Sequence, residues 1–175
     1  MDEPVHFGHF AEGANYCHDP IDALAEQMSS NIAALKNAFP RITFGDIEPL
    51  NVNTKGRIDM MLRFAKAFKK ASGEPIAFIN ADIGWRDNWL PQLLEWQSKA
   101  SAVGIALGII INGDDANITD NVWAKNALKR YRAVMVGLPR PPAQVIFQSW
   151  QDHPRRFTPD NEFGTLSDIV TEALK

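Results

Sequence analysis

Cysteine is all but missing from this chain. Cys17 is the only one among 175 residues, so an intramolecular disulfide framework is excluded and cysteine use says nothing about compartment. Long apolar runs are missing too: none approaches the ~20 residues that a membrane-spanning helix needs. The opening MDEPVHFGHF is acidic and lacks the apolar core of a secretory signal, so no export signal is read from it. Nor is there a basic excess. Eighteen Lys and Arg against 21 Asp and Glu leave a net charge of −3, which offers nucleic acid no electrostatic footprint. The short clusters Lys69-Lys70, Lys129-Arg130 and Arg155-Arg156 read as solvated faces. No Gly-rich phosphate loop follows any apolar run, which argues against a nucleotide-binding sheet. These absences predict a soluble protein that partners neither nucleic acid nor membrane and needs no cofactor, with its localisation open.

What is present is alternation. A hydrophobic fraction of 45% and a charged fraction of 22% suit one domain with a real core. Asp19-Pro20 supplies a helix start, and Ile21, Leu24, Met28, Ile32 and Leu35 recur at helical spacing, predicting one helix over 21–39 that Pro40 stops. A strand over 42–47 follows, then a helix over 55–72 ended by Gly73. Next come a strand over 76–80, a helix over 89–102 closed by Gly104, a strand over 106–112, a helix over 119–136 ended by Gly137, and a strand over 145–149. Thr165 to Asp168 resembles a capping box that opens a final short helix. The segment VHFGHF reads as a short strand or the loop after one. LGIIIN and QVIFQ, apolar throughout, are what parallel strands covered on both faces look like.

Glu48, Asp82, Asp114 and Trp150 are spaced by 34, 32 and 36 positions. This βα repetition predicts an α/β fold with a parallel sheet. Polar residues clustered just after strands favour a (β/α)8 barrel over an open doubly wound sheet. Four clear strands and one more at the N-terminus are too few for a full barrel of about 250 residues. The expectation is therefore one domain over 1–175 that corresponds to strands four to eight of a TIM-barrel-like fold, with Met1 at or just past the end of strand four. A partial barrel leaves an open sheet edge, through which self-association is expected.

The strand ends carry acids: MDEP at the start, GDIEP, then FINADIGW, then IINGDD. Side chains at the C-terminal ends of barrel strands face a shared mouth, so Glu3, Glu48, Asp82 and Asp114 can converge there. Glycoside hydrolysis wants such a pair, one carboxyl protonated to serve the leaving oxygen and one ionised to attack the sugar or activate water. The competing reading makes these acids helix caps and first-turn charges, and Asp114, Asp115 and Asp120 fit it well. Glu48 fits it poorly, since it directly precedes Pro49 and lies well ahead of its own helix.

Aromatic and amide side chains point the same way. Trp85, Trp89 and Trp150 lie at strand ends, where indole faces stack on sugar rings. Trp96 and Trp123 lie within helices and read as core. Asn80 and Asn112 at equivalent strand ends can bond hydroxyls, although turn formation explains them almost as well. HFGHFAEGANYCH holds three of the four histidines. A zinc site from His6, His9, Cys17 and His18 has only a His-x-x-His pair to recommend it, so no metal is assigned. The preferred reading is a loop over the mouth with His9 or His18 touching ligand.

MDEP, GDIEP and QSW after successive strands resemble the glycoside hydrolases of the large TIM-barrel clan. There the fourth strand ends in Asn-Glu-Pro with the glutamate as acid/base, so the resemblance implies that role for Glu3. Asp2 stands where the clan has an asparagine that touches the sugar 2-hydroxyl. The clan's nucleophile, a glutamate ending strand seven, has no counterpart here, where Asp114-Asp115 follow the strand. Either an aspartate replaces it, or Glu48 partners Glu3, or the chemistry has changed or been lost.

The resulting expectation is a hydrolase of O-glycosidic bonds. Its catalytic residues would be Glu3 and Glu48 with Asp82 as auxiliary acid. A carbohydrate substrate would be bound by Asp2, His9, Asn80, Trp85, Asn112 and Trp150. The alternatives are a non-catalytic carbohydrate-binding barrel and a metal-dependent barrel hydrolase.

Overall fold

The structure is a computed structural model that describes residues 1–10, 17–50, 56–85, 88–113 and 119–175. It is an α/β protein with one parallel sheet and alternating helices. The order of elements is a π-helical turn at His6–Phe10, α1 (Ile21–Ser29), α2 (Ile32–Ala38), β1 (Phe44–Leu50), α3 (Arg57–Ser72), β2 (Ile76–Ile83), α4 (Trp89–Ala102), β3 (Ala106–Ile111), α5 (Asp120–Gly137), β4 (Gln144–Phe147) and α6 (Leu166–Ala173). Strands lie in the sheet in chain order, β1-β2-β3-β4. By compactness the chain divides into Met1–Gly108 and Ile109–Lys175.

In the first unit β1 and β2 run parallel, with Ile47 opposite Asn80, Glu48 opposite Ala81 and Pro49 opposite Asp82. A register shift between Phe44 and Gly45 puts one extra residue on β2. The N-terminus adds a single parallel bridge on the other side of β1, Asp2 opposite Ile47. The Ile47 N–H donates to the Met1 carbonyl at 3.0 Å and the Glu3 N–H to the Ile47 carbonyl at 2.8 Å. Helix α3 buries Ile58, Met61, Phe64, Ala65 and Phe68 at i, i+3, i+4 spacing, packs on α1, and ends at Gly73 in the left-handed conformation, φ 77°. Trp96 of α4 is buried.

In the second unit α5 begins at a Thr119 cap whose hydroxyl accepts the Val122 N–H. It buries Trp123, Ala124, Ala127 and Val134 and packs on α6. Thr165 caps α6 in the same way, accepting the Asp168 N–H, as the capping-box spacing predicts.

Four local expectations are corrected. The single helix over 21–39 is two helices, because consecutive hydroxyls at Ser29 and Ser30 turn back to the Glu26 and Gln27 carbonyls at 2.9 and 2.8 Å and compete with the helical ladder. Asp19 does not cap α1. Pro20 holds that position with no side-chain cap, and the Asp19 carboxylate instead accepts from Gln27 at 3.4 Å. VHFGHF is neither strand nor loop but a helical turn that becomes π-helical at His6–Phe10. The strand over 145–149 is shorter than expected, ending at Phe147.

Candidate functional site

Successive side chains of a strand point to opposite faces, and this sorts the acids of β1 and β2. Phe44, Asp46, Glu48 and Leu50 share one face, and all are buried. Phe44 packs on Phe68 of α3 with ring centroids 6.2 Å apart, so this is the helix side. Ile47 and Pro49 of β1 and their partners Asn80 and Asp82 of β2 lie on the opposite face, and Asp2 joins it through its bridge to Ile47.

Glu48 therefore lies on the α3 side, which corrects the expectation of a mouth-facing side chain. Its Oε1 accepts the Val5 N–H at 2.6 Å and its Oε2 the His6 N–H at 3.0 Å. The Arg57 guanidinium stands 3.8 Å from Oε2. Glu48 does act as a helix cap, but for the turn that follows Pro4 rather than for the next helix along the chain. Such a cap satisfies orphan N–H groups at no cost in sequence proximity.

Asp46 is 1% exposed, and neither carboxyl oxygen has a hydrogen-bond partner of good geometry. The adjacent Ile47 N–H is spent on the Met1 carbonyl, and its pull toward ionisation is outweighed by burial. Burial first, with Asp2 and Glu3 adding to it, pushes the Asp46 carboxyl up to about 8, against the pull of the chain's amino group and the Ile47 N–H. Burial and Asp46 likewise push Glu48 up, opposed by the Val5 N–H, Arg57 and the His6 N–H. The two titrate as a pair. Its proton belongs on Asp46, the member with no donors to stabilise a charge.

Glu3 is the half-buried acid of the group. It sits at φ 48°, a left-handed conformation that a residue with a Cβ holds only at a cost of about 1–3 kcal/mol. Burial, then Asp82 and Asp2, raise its carboxyl to about 6 against the Arg57 charge. Glu3 and Asp82 are thus electrostatic neighbours, and Asp2 is a third.

Arg57 is a site residue that the sequence reading passed over, and His6 is one that it weighed only as a zinc ligand. Arg57 opens α3 and is 5% exposed. Its Nη1 lies 3.3 Å from His6 Nδ1. A guanidinium only donates, so Nδ1 is the acceptor and the His6 proton sits on Nε2. Burial and Arg57 lower the His6 pKa. Sequence offered no sign of Arg57, a lone arginine after Gly56. Asp46 was legible, since simple alternation places it beside Glu48.

Of the other expected residues, His9 is half-buried, its Nδ1 2.8 Å from the Asp19 carbonyl. Asn80 is buried on the Asp82 face. Trp85 meets Trp89 edge-on with centroids 5.3 Å apart. Asn112 and Trp150 belong to the second unit. There the Asn112 side chain and carbonyl both accept from Arg130 of α5, at 2.9 and 2.8 Å, and Trp150 is exposed. Asp114 and Asp115 lie outside the described residues. Cys17 and His18 are exposed, and among the described residues no group of three or more His, Cys, Asp or Glu is placed to hold a metal ion. No described helix is long and apolar enough to cross a membrane. Compared with known proteins, the chain matches no family model, no curated protein and no solved structure.

Proposed function

We propose that the chain is a glycoside-hydrolase-like (β/α)-barrel protein acting on O-glycosidic bonds, with Glu3 as proton donor and Asp82 as its ionised partner. The observation that carries this is Glu3 itself, held in a strained left-handed conformation beside Asp82, with its carboxyl raised to about 6. A carboxyl that keeps its proton near neutral pH can give it to a leaving glycosidic oxygen. A neighbouring ionised carboxylate can then attack the anomeric carbon or draw a proton from water. Sheet order without a reversal supports the barrel over a doubly wound sheet. Glu48 takes a different part from the one its sequence suggested: it anchors the turn that presents Glu3.

The test is release of reducing ends from a panel of soluble polysaccharides. Glu3→Gln should lower turnover by about 10²–10⁴-fold, and wild-type kcat/KM should fall as pH rises through about 6, where the donor loses its proton. Wild-type turnover in both Glu3→Gln and Asp82→Asn overturns the assignment. A second reading, carbohydrate binding without chemistry, is favoured by the commitment of Glu48 to backbone N–H groups and by the Trp85–Trp89 pair. It expects glycan binding unchanged in Glu3→Gln and no product from wild type.

A further inference from the structure

One cation joins the parts of this acidic cluster. Arg57, the first residue of α3, meets Glu48 of β1 at 3.8 Å and His6 of the N-terminal turn at 3.3 Å, and its charge acts on Glu3. The same Glu48 carboxylate receives the Val5 and His6 N–H groups. The turn that carries Glu3 and His6 is thus tied to Glu48 by its backbone, and Glu48 in turn faces the buried end of α3.

We propose that Arg57 is the positioning residue of this site, holding the His6 ring in the Nε2–H form and supplying the positive charge that Glu3 faces. It touches no reacting atom in this role, which rests on the reading of Glu3 as the proton donor. The charges around Glu3 make the need plain. Asp82 from β2 and Asp2 from the N-terminal bridge both favour its neutral form, as does burial, and Arg57 is the opposing charge. Asp46 from β1 acts on Glu48 and itself feels Asp2 and Glu3. Without a guanidinium here, Glu3 would keep its proton to higher pH. His6 would also lose the donor that selects its tautomer, since only an obligate donor forces Nδ1 to accept.

NMR on the intact chain tests this without substrate. The readouts are the side-chain carboxyl ¹³C titration of Glu3, assigned by its loss in Glu3→Gln, and the ring ¹⁵N shifts of His6. In wild type the Glu3 midpoint should lie near 6 and His6 should carry its proton on Nε2. Arg57→Gln should move the Glu3 midpoint up and weaken the Nε2–H preference of His6, and Arg57→Lys should restore most of the midpoint. An unchanged midpoint and tautomer in folded Arg57→Gln overturns the proposal. So does a wild-type His6 with its proton on Nδ1, a result that needs no variant to fold. The two readings fail separately. Full turnover in Glu3→Gln with a moved midpoint in Arg57→Gln removes the hydrolase and leaves the positioning role, and the converse removes only the latter.

Discussion

Asp46 and Glu48, two residues apart on one face of β1, show how differently one environment treats the same chemical group. Both are buried, yet Glu48 has two backbone donors and a guanidinium while Asp46 has no partner of good geometry. The consequence for stability follows from the sign of the Asp46 shift. Its carboxyl titrates near 3.8 in the unfolded chain and near 8 in the folded one, so between these values the unfolded state binds fewer protons and stability falls as pH rises. The loss approaches about 1.4 kcal/mol per pH unit for one proton, and it ends above the folded value. Asp46→Asn, which cannot ionise, should remove this slope. Urea unfolding of both proteins at pH 5, 6, 7 and 8 should show the variant gaining on wild type at each step, and parallel pH profiles would exclude Asp46 as the buried proton. Glu48→Gln should behave otherwise. It keeps an acceptor for Val5 but leaves Arg57 buried without its counter-charge, and the expected loss at pH 7 is about 3–5 kcal/mol, the cost of breaking a buried pair.

At the scale of elements, close approach decides more than propensity. A Cβ on Gly45 of β1 would meet the Phe78 ring at 2.0 Å, and one on Gly113, just past β3, would meet the Trp123 carbonyl of α5 also at 2.0 Å. A ring can rotate away, but the backbone of a packed helix cannot. Gly45→Ala should therefore cost about 1–3 kcal/mol and Gly113→Ala more, and Phe78→Ala should rescue the first in a double-mutant cycle. Equal costs, or no rescue, would refute the ranking. These contacts also mark the limit of what sequence made legible. Helical spacing located α3 and α4 within a few residues, and apolar runs located the strands, because each signal is local and repeats. The break at Ser29-Ser30 was written in two adjacent hydroxyls and masked by an apolar spacing that continues across it. Glu48 was misread because the helix it caps is the N-terminal turn, 42 residues away in sequence. Arg57 was not legible at all, since its partners come from β1 and the N-terminal turn.

For the molecule as a whole the open question is the β4 edge. β4 is four residues long and ends the sheet order, and a strand at the end of a sheet can take up another strand. Beside it within the second unit lies a groove of about 330 Å³ lined by Tyr131, Val145, Phe147, Phe157 and Leu174. Phe157 is 68% and Leu174 83% exposed, so exposed apolar surface lies close to β4, and a net charge of −3 supplies little repulsion to keep copies apart. Self-association through this edge is the expected outcome, and its driving force should be hydrophobic. Sedimentation velocity up to about 100 μM should show an average mass that rises with concentration and persists when salt is raised, since screening weakens ion pairs and not apolar burial. Phe157→Lys with Leu174→Lys should restore the monomer mass with stability changed by no more than about 0.5 kcal/mol for each, as both side chains are largely solvated already. A wild-type chain that stays monomeric throughout would mean that the shortness of β4 is protection enough, because few free backbone groups remain for a partner strand to pair.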